Sequence, residues 1–96
     1  MTSSFIERQI IQMQNLTDLY SQGNLSLNRY ILQMEGVLAL DGMEKIRRNI
    51  SGHVEELEEI NAYLLDDGKL TDAIDTEIKN FIASIKAVLV SELNAA

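Results

Sequence analysis

The sequence contains no cysteine, proline or tryptophan, and its aromatic residues are limited to two Phe and three Tyr. Without cysteine, the chain cannot form a disulfide framework, a thiolate nucleophile or a zinc–thiolate site. No long segment alternates apolar and polar residues with the period of two that is typical of a half-buried strand. These absences argue against a β-sheet protein and against several classes of enzyme and metalloprotein.

Long hydrophobic runs are also missing. No stretch approaches the roughly 20 apolar residues of a membrane span. The segment MTSSFIERQI at the N-terminus lacks the basic start and apolar run of a secretory signal. We therefore expect a cytoplasmic protein that has no membrane partner. The 96 residues, of which 46% are hydrophobic, suffice for a modest core, and we predict a single domain over 1–96.

Apolar residues instead recur at spacings of three and four, which predicts four amphipathic helices. Their expected ranges are about 5–20, 27–40, 43–65 and 72–93. Leu19 is expected on the buried stripe of the first helix. In the third helix the apolar phase continues past Ser51 and Gly52, which predicts one continuous helix, with a break at Ser51 as the alternative.

Two similar four-residue motifs join these helices: GNLS lies between the first and second, and GKLT lies between the third and fourth. Gly23 and Gly68 are expected to adopt the left-handed conformation that ends a helix. Ser26 and Thr71 are expected to cap the helix that follows, and Leu70 to pack at its start. Both motifs are therefore interpreted as helix-to-helix turns.

Two further pairs have the spacing of a capping box, in which a side chain at the cap and a Glu three residues later satisfy each other's backbone donors. These pairs are Ser4 with Glu7 and Asp41 with Glu44. Four helices joined by short turns bury their stripes most simply when sequential neighbours run in opposite directions. The predicted fold is an all-α antiparallel four-helix bundle.

Four apolar residues fall at or beyond the stripe edges: Ile11, Leu40, Leu65 and Val90. Scattered exposed apolar residues are ordinary in soluble proteins. The alternative is that they mark the face of a homodimer in a structural or assembly module.

The net charge is −7, and the excess is concentrated in residues 55–77, which carry nine acids against Lys69 alone. We call these nine residues the acidic surface: Glu55, Glu56, Glu58, Glu59, Asp66, Asp67, Asp72, Asp75 and Glu77. They belong to the end of the third helix, the following turn and the start of the fourth. If these helices are antiparallel neighbours, the acids gather at one end of the bundle.

The acidic surface has two interpretations. It can simply provide solubility, with Asp72 and Asp75 favourable near a helix N-terminus. It can also dock a basic protein partner, whose approach it would accelerate. The repulsion between Glu55 and Glu59 at helix spacing costs stability, which leaves the docking interpretation open. In that interpretation the partner-binding residues are Glu55, Glu56, Glu58, Glu59, Asp66, Asp67, Asp72 and Asp75.

Direct nucleic-acid binding is not expected, because affinity for phosphates depends on Lys and Arg. The small basic group of Lys45, Arg47 and Arg48 is interpreted as a solvated helix face, with Glu44 placed to pair with Arg48. His53 is the only histidine, and we expect it at the boundary of the core. The chain has no Glu-x-x-His motif, phosphate loop or nucleophile elbow. We predict no catalytic residue, metal site or cofactor, and thus no enzyme.

The segment LTDLYSQGNLSLNRYILQMEGVL resembles the first helical hairpin of small bacterial immunity proteins of the colicin D immunity-like kind. The resemblance covers about a quarter of the chain and depends on Gly23, Leu25, Ser26 and Tyr30. Such proteins are acidic helical bundles that block a basic toxin nuclease. The resemblance implies a toxin-neutralising role, and it assigns no individual contact residue.

Overall fold

The computed structural model describes residues 4–95, apart from the side chain of Ser4. These residues form four α-helices: α1 (Ser4–Ser21), α2 (Leu27–Leu38), α3 (Glu44–Leu65) and α4 (Asp72–Ala95). No strand occurs within the described range. The predicted all-α fold is confirmed, and α3 is continuous through Ser51 and Gly52. The predicted capping box of Ser4 with Glu7 lies outside the described side chains.

The helices form a ring in which α1 contacts α2 and α4, and α3 contacts α2 and α4. The bundle measures 47 × 22 × 20 Å. The turns 22–26 and 66–71 lie at one end, which we call the double-turn end. The α2–α3 turn lies at the opposite end beside the start of α1, since a Cβ placed on Gly42 would lie 3.6 Å from Ile6 Cδ1. This arrangement confirms the antiparallel four-helix bundle.

The core is formed by apolar residues from all four helices, and the polar residue Thr17 is buried among them. Thr17 is 0% exposed, whereas Leu19, which was predicted to be buried, is 41% exposed. Ile10, Met13 and Thr17 follow one another at helical spacing on the inner face of α1, and Leu19 lies at the outer edge of that face. The prediction for Leu19 is therefore wrong.

Thr17 is satisfied within the core by two hydrogen bonds. Its hydroxyl donates to the Met13 carbonyl oxygen at 2.8 Å. Its Oγ1 also lies 2.9 Å from the Tyr30 hydroxyl oxygen. Because the Thr17 proton is already used, Tyr30 donates to Thr17. Burial raises the pKa of Tyr30 to about 12, so this phenol stays protonated. The pair joins α1 to α2 inside the core.

The GNLS and GKLT turns each cap the helix that follows them, as predicted. Ser26 Oγ accepts the Arg29 backbone N–H at 3.2 Å, and Thr71 Oγ1 accepts that of Ile74 at 3.2 Å. Gly23 is left-handed with φ of 79°.

The prediction for Gly68 is wrong, because Asp67 is the left-handed residue, with φ of 64°. The Gly68 N–H donates to the Tyr63 carbonyl at 2.9 Å, which is a Schellman-type bond. A Cβ on Gly68 would collide with the backbone and ring of Tyr63. Glycine is required here for close approach rather than for a left-handed φ. Leu70 is 60% exposed, so it does not pack at the start of α4 as predicted.

The α2–α3 turn also differs from the prediction. α3 begins after Met43, whose side chain makes no capping bond, so the predicted cap at Asp41 is wrong. Glu44 does reach back, since its carboxylate accepts the Gly42 N–H at 3.3 Å. Apolar residue Met43 is fully buried, and its packing sets the start of the helix instead of a polar cap.

Arg47 was expected on a solvated face, and that expectation is wrong. Its Nε donates to the Leu38 carbonyl at 2.6 Å, and its Nη2 to the Leu40 carbonyl at 3.4 Å. A cation at a helix C-terminus satisfies carbonyls that have no partner within the helix. Arg47 therefore ties the end of α2 to the start of α3. The predicted pair of Glu44 with Arg48 is not among the ion pairs of the described residues.

Candidate docking surface

The acidic surface begins in the middle of α3. Glu55 and Glu59 are exposed and lie four residues apart on the outer side of the helix. Glu56 is also exposed, whereas Glu58 is half-buried and faces α2. Glu55 lies ten residues before Leu65, which is about 15 Å along the helix. The α3 acids therefore cover the outer side of the bundle toward the double-turn end.

Glu58 of α3 contacts a second acid, Glu35 of α2, and no pattern in the sequence connects the two. A hydrogen bond with Glu58 raises the pKa of Glu35 to about 7, with burial and repulsion by Glu58 as smaller causes. Two carboxyl groups in contact cannot both ionise freely, so the pair retains a proton to near neutral pH. Glu35 lies 23 positions before Glu58 on another helix, and only the packing of α2 on α3 brings them together.

The α3–α4 turn combines acids with exposed apolar side chains. Asp66, Asp67 and Asp72 are exposed. Between and beside them, Tyr63, Leu65 and Leu70 are 51%, 69% and 60% exposed. An apolar centre within a polar rim is typical of protein–protein interfaces, and Tyr is enriched among the residues that contribute most to binding. The charge pattern of the sequence marks the acids of this region, whereas no pattern marks Tyr63.

Asp67 holds the position in this turn where glycine is usually found. A left-handed conformation is unfavourable for a residue with a Cβ, although Asp tolerates it better than most. Strained backbone of this kind is found preferentially at functional sites. The turn keeps an acid at the cost of some stability.

At the start of α4, Asp75 pairs with Lys79 at 2.9 Å. It is the only member of the acidic surface with an ion-pair partner among the described residues. Glu77 is exposed. The structure thus brings the predicted residues to one half of the bundle, with six of the eight exposed and Glu58 and Asp75 half-buried.

A groove of about 600 Å³ opens at the same end. Its apolar lining comes from both turns and from all four helices, and includes Tyr20, Leu25, Leu27, Leu64, Leu70, Ile78 and Ile82. Asp75, Lys79 and Lys86 are the charged groups that line it. Burial, with a smaller effect of the Asp75 charge, raises the pKa of Tyr20.

Other candidate chemistry is limited. His53 is half-buried, as predicted, with its ring 6.2 Å from that of Phe81. Within residues 4–95, no group of three or more His, Asp or Glu residues is placed to hold a metal ion. None of the described helices combines the length and apolar character that crossing a membrane requires.

The four apolar residues outside the stripes are all exposed: Ile11, Leu40, Leu65 and Val90. They do not form one patch. Leu40 precedes α3 and Leu65 ends it, and a helix of 22 residues separates its ends by about 33 Å.

Comparison of the chain with protein-family models, with curated proteins and with solved structures finds no match in any of the three. The resemblance to bacterial immunity proteins therefore stays a prediction.

Proposed function

We propose that this protein is a non-enzymatic binding module that presents the acidic surface to a basic protein. In its most specific form it is a bacterial cytoplasmic immunity protein that neutralises a basic toxin or nuclease. It binds no nucleic acid directly, and Glu55, Glu56, Glu58, Glu59, Asp66, Asp67, Asp72 and Asp75 provide the contacts.

One observation carries the proposal: exposed Tyr63, Leu65 and Leu70 are interspersed with acids that have no ion-pair partner in the part of the chain that the structure describes. Solubility alone explains the acids but not the apolar side chains among them. A basic partner with an apolar centre would cover both, because buried anchors supply affinity while surrounding charges supply speed and specificity. The strained Asp67 supports the same proposal.

The alternative is a structural module that forms a homo-oligomer. A homo-oligomer would need a contiguous apolar face. The four apolar residues outside the helical stripes do not form such a face, because Leu40 and Leu65 lie at opposite ends of α3. We therefore favour docking of a different, basic protein.

Affinity capture from the source cells tests the proposal. The immobilised protein should retain a basic protein at about 50 mM salt and release most of it at about 500 mM, because salt screens exposed charges. Glu59→Gln combined with Asp66→Asn should retain much less of that protein. Asp18→Asn combined with Asp41→Asn loses the same charge from exposed positions outside the acidic surface, and it should bind like the wild type.

The captured protein should then lose its toxic or nuclease activity when an equimolar amount of wild-type protein is added. A captured protein that both double variants bind equally, or that high salt does not release, contradicts the proposal.

A further inference from the structure

The groove at the double-turn end has a polarity that runs along its length. It starts between the two turns, where Leu25, Leu64 and Leu70 line it, and continues beside α4 as far as Lys86. The α4 part, from Asp75 to Lys86, is about 16 Å long at about 1.5 Å per residue. The end between the turns therefore holds the three leucines, with the ion pair of Asp75 and Lys79 beside them on α4, and the other end holds Lys86.

The volume and lining suit a small ligand. Ligand sites are mostly apolar clefts of about 300–1,000 Å³ that contain a few well-placed polar groups, and this groove has about 600 Å³. Leu25 and Leu64 are half-buried and Leu70 is exposed, so apolar surface faces the groove without a covering side chain. An aliphatic ligand would remove that surface from water.

The charges in the groove select the sign of the ligand. Lys79 and Lys86 against Asp75 give a local balance of 2 − 1 = +1, in a protein whose net charge is −7. Asp75 already pairs with Lys79 at 2.9 Å. Lys86 has no ion-pair partner among the described residues. One cation is thus left to bind a single negative charge.

We propose that this groove binds a monoanionic amphiphile, a free fatty carboxylate, with its carboxylate on Lys86 and its chain directed toward the double-turn end. The chain packs along Ile78 and Ile82 and ends among the leucines of the two turns. The groove shares Asp75 and Leu70 with the proposed docking surface, but its ligand differs in charge and size, and its binding can be measured without the proposed protein partner.

Calorimetric titration with dodecanoate below its critical micelle concentration tests the site. We expect saturable binding of one molecule per chain. Dodecanol and dodecyltrimethylammonium have the same chain without the negative charge, and each should bind at least about tenfold more weakly, which corresponds to about 1.4 kcal/mol. Binding should also raise the unfolding temperature, because the ligand binds the folded chain.

Two pairs of variants locate the site. Ala83 is exposed and lines the groove, so Ala83→Trp should fill it and abolish binding. Ala87 is exposed on the same helix outside the groove lining, so Ala87→Trp should bind normally. Lys86→Gln should weaken binding about tenfold, whereas Lys45→Gln, which removes an exposed cation outside the groove lining, should not weaken it.

Three results would overturn the proposal: no saturable binding of dodecanoate, equal affinity for the neutral or cationic amphiphile, or undiminished binding to folded Ala83→Trp. Circular dichroism establishes that the variants are folded. If Ala83→Trp does not fold, the comparison of Lys86→Gln with Lys45→Gln decides, and equal affinity of these two overturns the proposal.

Discussion

At the scale of single residues, the geometry of the core depends on the buried side-chain contact between Thr17 and Tyr30. Thr17 and Tyr30 are both 0% exposed, and the Tyr30 hydroxyl has Thr17 Oγ1 as its partner at 2.9 Å. A buried donor without a partner keeps its desolvation cost. The pair therefore fixes how α1 and α2 meet more strictly than apolar contacts alone would.

We expect Thr17→Val to lower the free energy of unfolding by about 1–3 kcal/mol, because it strands the Tyr30 hydroxyl in the core. Adding Tyr30→Phe should restore most of the loss, since both polar groups are then gone. Urea denaturation measures these values. Exposed Thr76→Val is the control, with a change within about 0.5 kcal/mol. Equal destabilisation by the single and double variants would contradict the assignment.

Glu35 makes the free energy of unfolding depend on pH, and the direction of this dependence follows from its raised pKa. The pKa rises from an ordinary 4.5 to about 7 in the folded chain, so the folded state binds more protons than the unfolded state between these values. The free energy of unfolding therefore falls as pH rises through this interval. Glu58 faces Glu35 from α3, and Arg47 and Glu55 line the same small cavity.

Glu35→Gln should remove this contribution. The wild type should lose more stability than the variant between about pH 5 and about pH 8, as measured by urea denaturation at both pH values. Glu77→Gln, an exposed acid on α4, should follow the wild type. Parallel pH profiles for wild type and Glu35→Gln would show that the two carboxyl groups do not share a proton.

Asp67 illustrates a conflict between stability and charge. Because its φ of 64° suits glycine better, Asp67→Gly should raise the free energy of unfolding by about 0.5–1 kcal/mol. The same change should weaken capture of the basic partner. Thermal unfolding and the capture assay measure the two effects. A destabilised Asp67→Gly variant would show that the backbone is unstrained there.

At the scale of elements, the helices and the caps at Ser26 and Thr71 were predictable, whereas other details of the turns were not. Apolar spacing located all four helices, and the continuous phase of α3 outweighed Gly52. The cap at Asp41 and the left-handed Gly68 were wrong, because the packing of Met43 and the close approach of Tyr63 decide those turns. The residues in such contacts become neighbours only in the folded chain, so the sequence pattern does not show them.

Only part of the candidate site is visible in the sequence. The acids were visible as a run of charge within one segment of the sequence. The groove was not, because its lining comes from four helices and two turns, and Glu35 lacks any local signal that connects it with Glu58.

Arg47 is the clearest link between elements. Arg47→Met should lower the free energy of unfolding by about 1.5–3 kcal/mol, since it removes a charge-assisted bond from a helix end and keeps the apolar stem. Arg48→Met, one position away on the exposed face, should stay within about 0.5 kcal/mol. Chemical denaturation of both variants gives the comparison, and equal values would contradict the role of Arg47.

At the scale of the whole molecule, Ile11, Leu40, Leu65 and Val90 are dispersed, while negative charge is concentrated. Leu40 and Leu65 lie at opposite ends of α3, so no single face unites the four exposed residues. We expect light scattering to report a monomer at high protein concentration. A stable dimer would instead support the assembly function.

The central claim is that one half of the bundle, from the middle of α3 to the start of α4, receives a basic protein. Amide hydrogen exchange of the complex with the captured partner measures this most directly. The account predicts slower exchange in residues 55–77, around Tyr63, Leu65 and Leu70, and unchanged exchange near Lys45 and Asn49 at the opposite end. Protection confined to that opposite end would contradict it.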